Sequence, residues 1–362
     1  MSALRKGTIS SPTRHTLREV AEAWIESAKR GATLTRSGKP YKPSALRGYE
    51  ADLRRYVLPD LGATRLSEIR RADIQELVDR LVAYGHSASK VRNAIMPLRA
   101  IYRRPVARGE VPINPTTQIE LPMVDGCRDR AASPAEAAEL LDALPDSDRP
   151  LWATAFYAGL RRGELRALRW ADIDLAANLI HVRAGWDDKE GLIEPKSKKG
   201  TRAVPIAAVL RGRLIEYGLA TGRGDQDFVF GSRADRPFTP SNVRKRALKA
   251  WETANEKRRE VGQSELNPIG LHECRHTYVS LMFEAGLSLE RIGDYVGHSS
   301  AYMTDRYRHL LEGHEAEAAK LLDDYLVRTN TATRLEQVGR PLRQLADTNS
   351  AEFDHALTEQ PR

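Results

Sequence analysis

The sequence predicts a mainly α-helical protein of two domains, with a small antiparallel β-sheet in the second. Three observations predict it. Apolar residues recur at helical spacing through most of the 362 residues, a length that fits two domains. A stretch without period, carrying Pro115, Pro122 and Gly126, separates two helical blocks. Runs of β-type residues gather at 178–207, between turn-like segments.

Residues 1–13 are polar and read as a loose N-terminus. The first helix is TLREVAEAWIESAKR, with Thr16 as N-cap, Glu19 three residues on, and Leu17, Val20, Ala21, Trp24 and Ile25 on one face. GATLTRSGKPYK breaks it. PSALRGYEADLRRYVLP is a second helix, expected to end at Pro59, and a third runs from about Ala72 to Tyr84. SASKVRNAIMPLRAIYRRPVARG is the fourth, expected to be interrupted at Pro97 and Pro105, each of which removes a backbone donor. These four make a helical domain over residues 14–118, and residues 119–132 read as a linker.

The second domain is expected over residues 133–328. It opens with Ser133 as N-cap and Pro134 in the first helical position. RPLWATAFYAG is a helix stopped near Gly159, and RRGELRALRWADID is a shorter helix and turn. NLIHVRAGW, LIEPKS and RAVPIA are the strands, around the turns DDKEG and KKGT. From there to Val327 the pattern is mostly helical, and residues 329–362 form a polar tail.

Composition narrows the function. A net charge of +8 and a pI near 9.4 favour a polyanionic partner, nucleic acid first, because clustered Lys and Arg release counterions from phosphates. Arg47, Arg54, Lys90, Arg92 and Arg99 in the first domain, with Lys198, Lys199, Arg244 and Lys245 in the second, are the candidates for contact with duplex DNA. The bland reading of those on helices is a solvated helix face. Two cysteines, Cys127 and Cys274, make neither a zinc ribbon nor a disulfide scaffold, which fits a reducing cytoplasm. The N-terminus has no apolar core of signal-peptide type, and no apolar run approaches the length of a membrane span.

HECRH, residues 272–276, fits the zinc-peptidase pattern H-E-x-x-H. On a wheel at about 100° per residue, Cys274, Tyr278, Val279, Leu281, Met282 and Ala285 fall on a core-facing arc. His272 and Arg275 stand at its N-terminal end, aimed inward. Glu273, Thr277, Ser280 and Glu284 fall on the opposite, polar arc, so Glu273 is aimed at water. Arg275 would stand beside any metal bound there, and the usual third ligand is missing. The working content is therefore His272 and Arg275, with no metal.

Partners for this pair lie elsewhere in the chain. AGLRRGEL places Arg161 after a Gly-Leu turn with Glu164 three residues on. EPKSKKGTRAVPI carries Lys196, Lys198 and Lys199 at a hairpin-like tip. GHSSAYMTDRYRH places Tyr307 nine residues after His298. Arginine forks bind phosphate oxygens bidentately and keep their charge, and a tyrosine hydroxyl becomes a nucleophile when a base helps it.

In order and spacing these motifs resemble the tyrosine recombinases, the phage integrase family, over roughly residues 14–328. The resemblance implies a helical core-binding domain followed by an α+β catalytic domain. It implies that Arg161 and Arg275 are the catalytic arginines, His272 the general acid/base, His298 a phosphate ligand, Glu164 a brace for the first arginine, and Tyr307 the nucleophile. Lys196 matches the hairpin lysine that protonates the leaving 5′-oxygen, with Lys198 as its rival. The implied reaction is transesterification through a 3′-phosphotyrosyl link, without cofactor or metal. The implied partners are double-stranded DNA attachment sites, a homo-tetramer in the synapse, and an accessory DNA-bending or directionality protein. The implied location is the cytoplasm, at the nucleoid when bound to DNA.

Integration or excision of a phage or mobile element is the expected task. Resolution or transposition by the same chemistry is the alternative. A type IB topoisomerase, an inactive DNA-binding regulator and a zinc metallopeptidase built on HECRH stand further off. AGL replaces the frequent TGL, and HECRH the frequent HDLRH, leaving the charged groups in place. About 13 residues precede the core-binding helices, too few for an arm-binding domain, which leads us to expect short core sites or accessory proteins.

Overall fold

The computed structural model describes residues 13–124, 130–193, 201–297 and Asp324. The chain divides into two compact units, Met1–Asp129 with Asp187–Ile193, and Arg130–Trp186 with Glu194–Arg362. Among the described residues no helix is long and apolar enough to cross a membrane.

In the first unit, α1 (Leu17–Lys29) starts where the sequence places it. Thr16 Oγ1 accepts from the Glu19 N–H at 3.3 Å while Glu19 Oε2 accepts from the Thr16 N–H at 2.8 Å. Its apolar face buries Leu17, Ala21, Trp24, Ile25 and Ala28. The second predicted helix is three pieces: α2 (Pro43–Asp52), a π-helical turn at Leu53–Val57, and the short α3 (Leu58–Leu61). Pro59 therefore does not end a helix. It stands near the start of α3, where its missing N–H has no partner to lose. Next come α4 (Arg71–Ala83) and α5 (Ala88–Ala107).

Helix α5 also departs from expectation, since it runs unbroken through Pro97 and Pro105. Val91, Ala94, Ile95, Leu98, Ile101 and Tyr102 on one face are all buried, and both prolines are buried with them. Packing of that face outweighs the lost backbone bonds. Tyr102 ties the helix down by donating its hydroxyl to the Leu66 carbonyl at 3.0 Å.

The second unit starts with α6 (Pro134–Asp142), capped by Ser133. Its centre is α7 (Arg149–Ala158), which is apolar almost all round and buried accordingly. Trp152 of α7 meets Trp251 edge to face at 5.1 Å. α7 ends at Gly159, in the left-handed conformation at φ 59°. Then follow α8 (Arg162–Ala167) and a 3₁₀ turn at Trp170–Asp172.

The strands are β1 (Ile173–Asp174), β2 (Leu179–Val182), β3 (Gly185–Asp187), β4 (Gly191–Ile193) and β5 (Arg202–Pro205). They form a three-stranded sheet in the order β1-β2-β5, antiparallel throughout, and a β3-β4 ribbon. Ile180 pairs with Val204 and Val182 with Arg202, so these four side chains share the inner face. Four helices complete the described part: α9 (Ala208–Thr221), α10 (Pro240–Glu260), α11 (Leu271–Glu284) and α12 (Leu289–Val296).

α11 packs directly on α7, and its Tyr278 ring lies against Gly159. A Cβ there would lie 2.4 Å from Tyr278 Cδ1. Gly159→Ala should cost about 2–4 kcal/mol, a left-handed backbone term plus an overpacking term. Gly222→Ala is the control: its φ is also 59°, nothing lies within 4 Å, and the loss should be only about 1 kcal/mol. Urea midpoints of the two variants measure the difference.

Candidate functional site

Three described helices of the second unit end in left-handed glycines, α7 at Gly159, α9 at Gly222 and α12 at Gly297. The carbonyls at the ends of α7 and α12 organise the site. Arg275, on the first turn of α11, donates through Nη1 to the Gly159 carbonyl at 2.7 Å and through Nη2 to the Val296 carbonyl. Arg161, just before α8, donates through Nη2 to the Gly297 carbonyl at 2.8 Å. Two guanidinium groups from distant parts of the chain thus meet consecutive carbonyls, directly before His298. Arg275 is buried, at 3% exposure, whereas the Arg161 side chain is 41% exposed and keeps donors open to a ligand.

Glu164 supplies the counter-charge. Its Oε2 accepts from the Arg161 N–H at 2.7 Å and its Oε1 from Arg161 Nη1 at 2.9 Å. The neighbouring Arg162 is exposed and outside this cluster. Arg202 grips the same carboxylate from β5, Nη1 to Oε1 at 3.0 Å and Nη2 to Oε2 at 2.8 Å. Burial raises the Glu164 pKa, but the hydrogen bonds and charge of Arg202, then those of Arg161, overcome this and hold it at about 2. Arg161 and Arg202 thus share one carboxylate, with the Arg275 guanidinium at the adjoining carbonyls, and guanidinium groups are the donors suited to phosphate oxygens.

The HECRH helix corrects several sequence expectations. His272 does not point inward: it is exposed at the start of α11, its ring edge-on to His276 at 5.1 Å. His276, expected at the surface or behind the site, is 4% exposed. Thr277 and Ser280 leave the expected polar face and are buried. The reason is tertiary, because the chain entering this unit lies over that face and the Ala132 N–H donates to Thr277 Oγ1 at 2.9 Å. Glu273 caps its own helix, accepting from the Gly270 N–H at 2.6 Å. Cys274 is fully buried, which raises its thiol pKa well above the ordinary value. Burial likewise raises the Tyr278 phenol, making it a packing group.

Lys196, Lys198, Lys199, His298 and Tyr307 lie outside the described residues. Among the DNA-binding candidates, Arg54, Arg99, Arg244 and Lys245 are exposed. Three others are engaged within the first unit. Arg47 Nη2 reaches Asp187 Oδ1 at 2.6 Å, Lys90 pairs with Asp52 at 2.5 Å, and Arg92 Nε donates to the Pro122 carbonyl at 2.9 Å. Sequence reasoning missed Arg202. The signal was present: in RAVPI, period two puts Arg202, Val204 and Ile206 on one face, which sends a cation into the interior.

With this geometry in place, the comparisons with known proteins are informative. A family model described as "Phage integrase family" matches residues 132–314, and one described as "Phage integrase, N-terminal SAM-like domain" matches residues 16–82. The chain is 26% identical over 320 residues to a "Tyrosine recombinase XerC-like" protein of Caldanaerobacter subterraneus subsp. tengcongensis, covering 79% of each. It is 25% identical over 300 residues to the "ICEBs1 integrase" of Bacillus subtilis, again covering 79% of each. Among solved structures, its fold is like that of the Tn1549 transposon integrase in complex with transposon right end DNA. There the TM-score is 0.67 and the identity 19%, covering 86% of this chain and 99% of that one. A lambda integrase tetramer bound to a Holliday junction has a TM-score of 0.57 and 18% identity, covering 85% of this chain and 80% of that one.

The Glu164 environment makes a pH prediction. A folded-state pKa of about 2, against an ordinary 4.5, means that the carboxylate's stabilisation is fully present above pH 4.5 and is lost as pH falls through about 2. Glu164→Gln should cost about 3–5 kcal/mol at neutral pH, the usual loss on breaking a buried ion pair. The gap between parent and variant should narrow from pH 4.5 toward about 2, read from denaturant midpoints at a series of pH values.

Proposed function

This chain belongs to the phage integrase family and is a tyrosine-type enzyme of site-specific DNA strand cleavage and rejoining, and on that premise we propose that Arg161 and Arg275 hold the scissile phosphate. The observation that carries the assignment is the meeting of these two guanidinium groups at the consecutive carbonyls of Val296 and Gly297. Arg161 retains exposed donors for the non-bridging oxygens, and Glu164 braces it. The exposure of His272, one helical turn before Arg275, supports its reading as the group that takes a proton from the attacking hydroxyl.

Tyr307 is the nucleophile in this reading. Its oxygen bonds to phosphorus as the bond to the 5′-oxygen breaks. The phenol proton goes to His272, and Lys196, or its rival Lys198, gives a proton to the departing oxygen. His298 hydrogen-bonds the phosphate. A 5′-hydroxyl from the partner duplex then reverses the step, so the bond energy is kept in the phosphotyrosyl link and neither cofactor nor metal takes part.

The substrate in this proposal is a pair of double-stranded DNA attachment sites, synapsed by four copies of the chain, and the task is integration or excision of a mobile element. A tetramer and DNA occur in the structures named above for lambda and Tn1549 integrases. An accessory DNA-bending or directionality protein and a cytoplasmic, nucleoid-bound location complete the proposal.

Tyr307→Phe should leave duplex binding intact and abolish covalent protein–DNA adducts on nicked suicide duplexes, with the parent's adduct mapped to Tyr307 by mass spectrometry. Adducts from the Phe variant would overturn the assignment. Arg99→Ala and Lys245→Ala should each reduce the steepness of log affinity against log salt by about 1, as expected when one phosphate contact is lost. An unchanged slope would remove that residue from the DNA interface.

A further inference from the structure

Arg202 has a geometry that no catalytic role accounts for. Its side chain is 6% exposed, and it lies on the inner face of the sheet, paired across the strands with Val182. A cation in an apolar sheet face is costly unless every donor is matched. Here the fork meets both oxygens of Glu164, at 3.0 and 2.8 Å, and Nε donates to the Tyr295 carbonyl in α12. Arg202 thus joins three elements: β5, which bears it; α8, through Glu164; and α12, whose last carbonyls receive Arg161 and Arg275. Glu164 has a single carboxylate for two guanidinium groups, so the orientation of one decides where the other sits.

We propose that Arg202 is a positioning residue for strand cleavage: by gripping both oxygens of Glu164 it fixes the carboxylate that aims Arg161 at the scissile phosphate. This rests on the assignment of Arg161 made above. A lysine at this position would reach one oxygen at a time, because its ammonium is a point charge and not a planar fork. Among the described residues, the charged groups acting on Glu164 are Arg202 from β5 and Arg161 from the start of its own helix. With Arg202 gone, burial would meet less opposition, and the carboxyl would protonate more readily.

The test uses the full chain and a randomised pool of nicked suicide duplexes, with covalent adduct formation followed over a pH series. Arg202→Gln should slow adduct formation about 10²-fold, the scale of a small displacement of a positioned group. Its rate should fall more steeply on the acid side than the parent's, as a second group protonates, while duplex affinity stays as in the parent. Arg202→Lys should recover part of the rate, and it decides the matter if the Gln variant does not fold. Arg202→Gln should add little to Glu164→Gln, since both act through one carboxylate. Parent-like rate and pH profile in both Arg202 variants would overturn the inference alone. So would a loss equal at every pH and additive with Glu164→Gln, which marks a structural role. Absence of adducts from the parent would overturn the assignment on which the inference rests.

Discussion

The Glu164 carboxylate is the contact on which the site depends. It is largely buried, and burial by itself would raise its pKa. Two guanidinium groups keep it charged, and its charge in turn lets two cations stand close together in a partly dry place. Remove the carboxylate, and Arg161 and Arg202 lose the anion that both of them grip.

The scaffold around this contact is built from helix ends. Left-handed glycines terminate α7 and α12, and each leaves carbonyls outside the helical ladder. Those carbonyls accept from the two arginines assigned to the phosphate. Gly159 does a second job, since the absence of a Cβ lets the Tyr278 ring lie against the backbone. Helices α7 and α11 thereby approach closely enough for Arg275 to reach the turn.

Membership of the phage integrase family gives these observations a chemical setting, and the setting explains the HECRH motif. Glu273 caps a helix and His276 is buried against His272, which leaves His272 and Arg275 as the pair that the proposal assigns to the chemistry. A zinc-peptidase signature arises here because an ordinary N-terminal capping carboxylate falls between two histidines.

Much was legible in the sequence by itself. Thr16 with Glu19, Ser133 with Pro134, and Gly159 marked helix ends correctly, because capping is decided within three or four residues. The division into two helical blocks with a small sheet in the second followed from periodicity, and the motif order identified the family. Tertiary structure decided the rest. Pro97 and Pro105 are carried inside one helix because a long buried face outweighs two missing bonds. Thr277 is buried where a distant stretch, at Ala132, bonds to it. Arg202 becomes part of the site because strand pairing turns it inward opposite a carboxylate 38 positions away. Local rules reach as far as one turn or one strand, and burial and ion pairing are set by whichever remote segment arrives.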